Sequence, residues 1–265
     1  MNGRNGKPPG NENGQVVLMI AGGPLANVIA NTLASHFPRL AILREAPESK
    51  LRMLRRRSRI AGPAAALGQA LCGVALKPLS RLSRARLAEI AADNGFVTGA
   101  LPDVPVITVG SVNSSACRDA LHSLAPDVVA VYGTRLIGAR TLAAVDAPFI
   151  NYHAGITPKY RGQHPAYRAL AGGDADHAGV TIHLVDEGVD TGAVLYQAPV
   201  RFSPRDNITT YQFVQMAAAR PLLVRAIEDA LAGRLSPRHV DLPSRNWLPP
   251  TIWEYAVNGL ARSVW

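Results

Sequence analysis

The stretch Val16-Val-Leu-Met-Ile-Ala-Gly-Gly-Pro-Leu-Ala-Asn27 passes from five apolar residues through two glycines into a new segment. A short apolar run closed by glycines reads as a buried strand over 16–20, and the residues after it as a helix near 24–36. The same unit recurs along the chain. A short strand is expected near 39–43 and further strands near 105–109, 128–132 and 148–152, with helical patterns such as Asn113 to Leu124 between the later ones. Strands alternating with helices predict an α/β fold, a mainly parallel sheet with helices on both faces. Ligand sites in such sheets lie beyond the carboxyl ends of the strands, so the residues that end each run matter most. Segments near 180–185 and 193–200 extend the sheet. A helix from about Ile208 to Ala232, capped by Asp206 or Asn207, closes the core despite Pro221.

The chain has 265 residues, 48% of them apolar, which suits one large or two small domains around a buried core. Cys72 and Cys117 form no CxxC or Cys/His cluster, so no disulfide framework or structural zinc is suggested, and a reducing, cytoplasmic setting fits. Residues 1–15, rich in Asn and Gly, lack the apolar core of a signal peptide and read as a disordered tail. The main domain is expected over 16–235 and a C-terminal extension over 236–265. In that extension Trp247-Leu-Pro-Pro-Thr-Ile-Trp253 reads as an extended strap closed by a short helix.

Within the main domain, Lys50 to Arg86 forms a basic helical insertion with ten Lys or Arg and no acidic residue, against a net charge of +9 for the whole chain. The remainder is therefore close to neutral. Ile60 to Leu76 is apolar, but its 17 residues are interrupted by Pro63 and glycines, too weak for a membrane span. Three roles are open to the insertion: a solvated hairpin or homodimer element, a peripheral contact with an anionic membrane, and a contact with RNA or nucleotide phosphates. No aromatic residue occurs between Lys50 and Arg86, which argues against base stacking there.

The chemistry concentrates in Phe149-Ile-Asn-Tyr-His-Ala-Gly-Ile-Thr-Pro-Lys-Tyr-Arg-Gly162, followed 28 residues later by Asp190-Thr-Gly192. Asn151 and His153 stand at i and i+2, so on an extended backbone both point to one face. An amide and an imidazole suit attack of an amine on a small carbonyl: one donates to the developing oxyanion, the other donates or relays a proton. A carboxylate completes the set. Asp190 is the leading candidate, in a turn-rich segment after the alternating Val180-Thr-Ile-His-Leu-Val185, where it could hold His153 protonated and accept the amine proton.

Taken together, Asn151-x-His153, Pro158-Lys-Tyr-x-Gly162 and Gly179-Val-Thr-Ile-His-x-Val-x-x-Gly-x-Asp190-x-Gly192 resemble the folate-dependent formyltransferases, over roughly Val104 to Val200. The resemblance implies a Rossmann-like domain that transfers a formyl group from 10-formyltetrahydrofolate to an amine, with Asn151, His153 and Asp190 as catalytic residues and no metal. It places the donor between Thr134, Arg135, Leu136 and Ile137 on one side and Val185, Asp186, Glu187 and Gly188 on the other. Arg135 reads equally as a structural salt-bridge residue. On the acceptor side it implies Gly22, Gly23, Arg161, Gly162 and His164, with a small-molecule amine as partner; a nucleotide-linked amino sugar, a phosphorylated glycinamide-type ribonucleotide, an amino acid derivative and a natural-product amine all stay open. His183 reads as packing or a local hydrogen bond, and His177 as surface.

The chain also departs from the family. After His153 the family continues Pro-Ser-Leu-Leu-Pro, and this chain has Ala154-Gly-Ile-Thr-Pro158, where Gly155 is expected only to add freedom. The purine-pathway phosphate loop Gly-Ser-Gly-Ser-Asn is replaced by Ala21-Gly-Gly-Pro-Leu-Ala-Asn27, whose glycines still offer backbone N–H groups. A hydrolase using water as acceptor and a non-catalytic folate- or anion-binding adaptor are the alternative functions. Methionyl-tRNA formyltransferases carry a sizeable domain after the catalytic one, and only about 30 residues follow the last long helix here, which disfavours that acceptor.

Overall fold

A computed structural model describes residues 13–265; of the tail expected over 1–15, residues 1–12 lie outside the described residues. The chain begins with β1 (Val16–Ile20), α1 (Pro24–His36) and β2 (Leu40–Glu45), then runs through three consecutive helices, α2 (Lys50–Ala61), α3 (Pro63–Leu82) and α4 (Arg84–Asp93). It continues with β3 (Val106–Val109), α5 (Ser115–Leu124), β4 (Val128–Tyr132), the single turn α6 (Ala139–Leu142) and β5 (Phe149–His153). A two-residue β6 (Arg161–Gly162) and α7 (Pro165–Ala171) precede the hairpin β7 (Gly179–Leu184) and β8 (Val194–Pro199). The long α8 (Tyr211–Leu231), the short β9 (Asn246–Trp247) and α9 (Ile252–Arg262) follow.

Seven strands form one sheet in the order β3-β2-β1-β4-β5-β7-β8. The first five are mutually parallel, and β7 and β8 join antiparallel, so the sheet is mainly parallel as expected. Side-chain alternation explains its two cores. Val16, Leu18 and Ile20 face one way, into a cluster with α1 and α8; Val17 and Met19 face the other, against Cys117 and Leu121 of α5. All five residues of β1 are fully buried. Each such side chain contributes roughly 1.5–3 kcal/mol of burial, which is why a run without polar alternation becomes a central strand.

Two expectations are corrected. The helix expected from Ile208 begins at Tyr211 behind Thr210, and neither Asp206 nor Asn207 caps it. The Asp206 carboxylate is taken by Arg86 at 2.9 Å and the Ser203 amide at 2.8 Å, while Asn207 Oδ1 accepts from the Thr209 amide at 2.9 Å. Pro221 sits inside α8 on its exposed side, where its missing N–H leaves the helix continuous. The basic insertion is also more than a solvated hairpin. Gly62, at φ +85°, turns α2 into α3, and α3 lays Cys72 into a cluster with Tyr167, Tyr211 and Tyr255 from α7, α8 and α9. Among the described residues no helix is long and apolar enough to cross a membrane.

The C-terminal strap acts at a distance. β9 pairs in parallel with β6, and the amides of Arg161 and Gln163 donate to the carbonyls of Arg245 and Trp247 at 3.1 and 2.8 Å. The Trp247 ring stacks on Tyr160, centroids 6.1 Å apart. Residues 160–163 are thereby fixed beside the end of β5.

Candidate active site

Asn151 and His153 lie on β5 with Phe149 on the same face of the strand, while Ile150 and Tyr152 turn into the opposite core. Antiparallel pairing sets His183 of β7 directly opposite Asn151, and Thr181 opposite His153. Two imidazoles, a carboxamide and a hydroxyl thus share one patch of sheet. Thr181, fully buried, donates to the Gly155 carbonyl at 2.7 Å and accepts from the Thr157 amide at 3.1 Å, holding the loop that leaves His153.

Asp190 reaches this patch from the loop after β7. Its backbone is left-handed, φ +50°, a conformation that costs a non-glycine residue energy and is found where surrounding structure enforces it. The Gly162 amide donates to Oδ2 at 2.9 Å, and Arg161 Nη1 donates to the Val189 carbonyl at 2.8 Å. Oδ2 lies 3.3 Å from His153 Nδ1, and Oδ1 lies 3.6 Å from His183 Nε2 and 3.5 Å from Asn151 Nδ2. The structure brings the three expected residues together around one carboxylate.

Hydrogen bonding fixes the ring states. His183 Nδ1 sits 2.7 Å from the Leu184 carbonyl, which only accepts, so Nδ1 carries a proton, while Nε2 lies 3.0 Å from Asn151 Nδ2 and 3.6 Å from Asp190 Oδ1. His153 Nε2 likewise donates to the Tyr160 carbonyl at 2.8 Å, which leaves Nδ1 facing Asp190. Burial pulls the His153 pKa below its ordinary value, against the Asp190 charge and the Tyr160 bond. Burial works against ionisation of Asp190 as well, but His153, His183 and the Gly162 amide together hold its carboxyl well below the usual range. A carboxylate thus stands 3.3 Å from Nδ1 of a buried imidazole.

Gly155 does more than add freedom. A Cβ there would lie 2.5 Å from Pro165 Cβ, 2.6 Å from the Tyr160 oxygen and 2.8 Å from His153 Nε2. Only glycine lets the loop pass under the His153–Tyr160 hydrogen bond. Gly162, expected to meet the acceptor, instead spends its amide on Asp190 and at φ +88° leaves no space for a side chain beside Trp247. Arg161 is likewise turned to the Val189 carbonyl.

The expected donor segments fare unevenly. Arg135 is a structural residue: its guanidinium meets Glu45 at 2.7 Å and the Gly110 carbonyl at 2.6 Å. Ile137 is 2% exposed and packs with Phe149 and, at its edge, Val185, which draws the 134–137 and 185–188 segments onto one face. Thr134 bonds locally to the Arg135 carbonyl, and Asp186 closes its turn onto Gly188 N and Thr191 Oγ1 at 3.0 and 2.6 Å. Leu136, 52% exposed, and the turn backbone at Glu187 and Gly188 offer an apolar wall with polar groups near it, the mixture a flat heteroaromatic ring requires.

On the other side, His164 precedes α7 at φ +50° and lines a small cavity with Tyr167, Ile208, Tyr211, Gln212 and Gln215. Its pKa is pushed down to about 4, by burial first and then by the charges of Arg168 and Arg57. Arg57 belongs to α2, so the basic insertion reaches the rim of this loop. Gly22 and Gly23 keep φ of +94° and +102° at the start of α1, with open space around them, but β4 stands between their strand and β5. His183 was missed as a site residue. Its signal was the alternation Val180-Thr181-Ile182-His183, which puts both polar side chains on one face; what the sequence lacked was the identity of the facing strand.

The formyl transferase family matches residues 84–227, a span that contains every residue of this patch. A methionyl-tRNA formyltransferase from a Nitratiruptor species is 41% identical over 110 residues, 41% of this chain and 35% of that protein. The chain spans about a third to a half of the length of the curated relatives it matches. Among solved structures, glycinamide ribonucleotide transformylase 1 from Symbiobacterium toebii superimposes with a TM-score of 0.55 at 20% identity, over 87% of this chain and 96% of that one. An N-formyltransferase from Helicobacter canadensis, solved with folinic acid and dTDP-3-aminofucose, gives a TM-score of 0.55 at 15% identity, over 88% and 70%. At these identities the two structures establish the Rossmann-like fold alone.

Proposed function

The chain belongs to the formyl transferase family, and from that premise we propose that it moves a formyl group from 10-formyltetrahydrofolate to a primary amine of a small, phosphorylated or nucleotide-linked acceptor. The observation that carries the reading is the convergence of Asn151, His153 and Asp190, with the carboxylate 3.3 Å from His153 Nδ1 and 3.5 Å from Asn151 Nδ2.

The donor supplies an activated formyl carbon; the chain's own groups position it and move protons. The acceptor nitrogen attacks that carbon, negative charge gathers on the formyl oxygen, and Asn151 Nδ2 donates to it. The 3.5 Å contact from Asn151 to Asp190 is at the limit of a hydrogen bond, so this N–H is free to turn to the oxyanion. The acceptor loses its proton to His153 Nδ1, where Asp190 stabilises the imidazolium that forms. As the new C–N bond is completed and the bond to the donor nitrogen breaks, that proton returns to the departing tetrahydrofolate nitrogen. Leu136 and the Glu187–Gly188 turn are the groups placed to hold the donor ring.

An anionic acceptor is supported by Arg57, whose charge bears on His164 at the edge of the site. The test is tetrahydrofolate release from 10-formyltetrahydrofolate, followed spectroscopically across a panel of phosphorylated and neutral amines with His153→Ala as blank. Release that requires a phosphorylated amine supports the reading; amine-independent release lost in the blank makes the protein a hydrolase.

A further inference from the structure

Two helices of this molecule carry apolar stripes that are about half or more exposed. Along α3, Leu67, Leu71 and Val74 recur at i, i+4 and i+7 with exposures of 59, 48 and 60%. Along α9, Trp253, Val257 and Leu260 repeat that spacing at 49, 62 and 82%. Both helices bury their opposite sides, Cys72 of α3 and Tyr255 of α9 meeting in one cluster. The stripes are therefore outward faces, not loosened core. They also adjoin: the Trp253 ring lies on α3 at Gly68, where no Cβ could fit.

Cations border this face. α2 packs along α3 and carries Arg52, Arg55 and Arg59 on its exposed side at i, i+3 and i+7, without an acidic partner among the described residues. Lys77, Arg81 and Arg84 continue the charge, and no acidic residue interrupts it from Lys50 to Arg86. We propose that the α3–α9 face, with the α2 arginines at its margin, docks on the surface of an anionic lipid bilayer. The chemistry favours that occupant over two others. A second copy of this chain meeting the same face would set like cations against like. A nucleic acid would satisfy the arginines but leave six apolar side chains against phosphate and water, with no aromatic residue in the insertion to stack a base. A bilayer answers both halves: the leucines and Trp253 enter the headgroup–acyl boundary while the arginines meet lipid phosphates. Since no described helix is long and apolar enough to cross, the contact lies in the plane of the surface. This inference does not rest on formyl transfer.

The experiment is flotation of the full chain with vesicles of phosphatidylcholine alone, or containing about a third phosphatidylglycerol, together with tryptophan emission. The protein is expected to float only with the anionic vesicles, with a blue-shifted emission, and to be released by salt. Arg52→Glu/Arg55→Glu/Arg59→Glu should weaken binding about tenfold or more. Leu67→Ser/Leu71→Ser/Val74→Ser should weaken it comparably and abolish the blue shift, binding being compared at a temperature where circular dichroism shows both variants folded. Absence of binding to anionic vesicles, or equal binding to phosphatidylcholine, overturns the proposal. So does a concentration-dependent dimer, or RNA binding, that these variants remove while vesicles are ignored.

Discussion

The end of β5 and the α2–α3 hairpin treat charge in opposite ways. At β5 the ionisable groups are buried, His153 to 7% and the Asp190 side chain to 16% exposure, and each is answered by a partner within 3.6 Å. Along α2, Arg52, Arg55 and Arg59 stand in solvent, and among the described residues the helix makes its ion pair through the exposed Arg56, to Glu48 at 3.2 Å. A buried carboxylate acts over one contact on one atom, and low dielectric magnifies it; an array of exposed cations acts through a summed field that salt screens. The first arrangement is built to change a reacting group, the second to attract one. Disturbing them should give effects of different size and different kind.

The largest effect is expected at the buried carboxylate. Asp190→Asn keeps the shape, and asparagine tolerates the left-handed backbone, but the charge that supports His153 during proton transfer is gone. Formyl transfer should fall about a hundredfold or more, with the unfolding midpoint nearly unchanged. Measured turnover within a few-fold of wild type would break the assignment. Gly155→Ala comes next. Its Cβ would press on Pro165, the Tyr160 oxygen and His153 Nε2, none of them the end of a flexible chain. A loss of about 1–3 kcal/mol in urea-unfolding free energy is expected, with reduced turnover in the protein that stays folded.

On the exposed side the effects should be gentler and sensitive to salt. Arg57→Ala should raise KM for an anionic acceptor several-fold at low ionic strength, leave kcat near wild type, and lose its effect as salt rises. A fall in kcat with unchanged KM would instead place Arg57 in the chemistry. The smallest effect is read from pH. His164 is held neutral in the folded protein, its pKa pushed down to about 4 by burial and by Arg168 and Arg57. Below its ordinary value the unfolded chain takes up a proton that the folded one refuses, so stability is lost as pH falls from about 6.5 towards 4. In His164→Asn, which fits φ +50°, that part of the acid loss should vanish, as a flatter plot of urea midpoint against pH.

Legibility in the sequence followed how local each feature was. β1 and α1 end within a residue of their expected limits, because an unbroken apolar run and a Gly-Gly-Pro turn are signals carried by the segment itself. Asn151 and His153 were readable for the same reason: two polar residues at i and i+2 on one strand need no partner to share a face. What escaped depends on neighbours distant in the chain. His183 joins the site only because β7 pairs antiparallel with β5 in the register that sets it against Asn151. β6 and β9, two residues each, exist only as each other's partner. Gly155 resembled a loosened loop, and the crowding that forbids a side chain comes from Pro165 and Tyr160 folding back on it. Asp206 and Asn207 carried a capping signal that Arg86, Ser203 and Thr209 outcompeted once the helices packed.

The central claim is that the buried patch at β5 passes a formyl group to an amine. The most direct test supplies 10-formyltetrahydrofolate carrying carbon-13 in the formyl group, together with a phosphorylated amine, and follows the labelled carbon by nuclear magnetic resonance in wild type and Asp190→Asn. The account predicts an N-formyl amide signal on the acceptor that forms with wild type and is nearly absent with the variant. Labelled formate in place of the amide, or an amide that accumulates equally with both proteins, would contradict it.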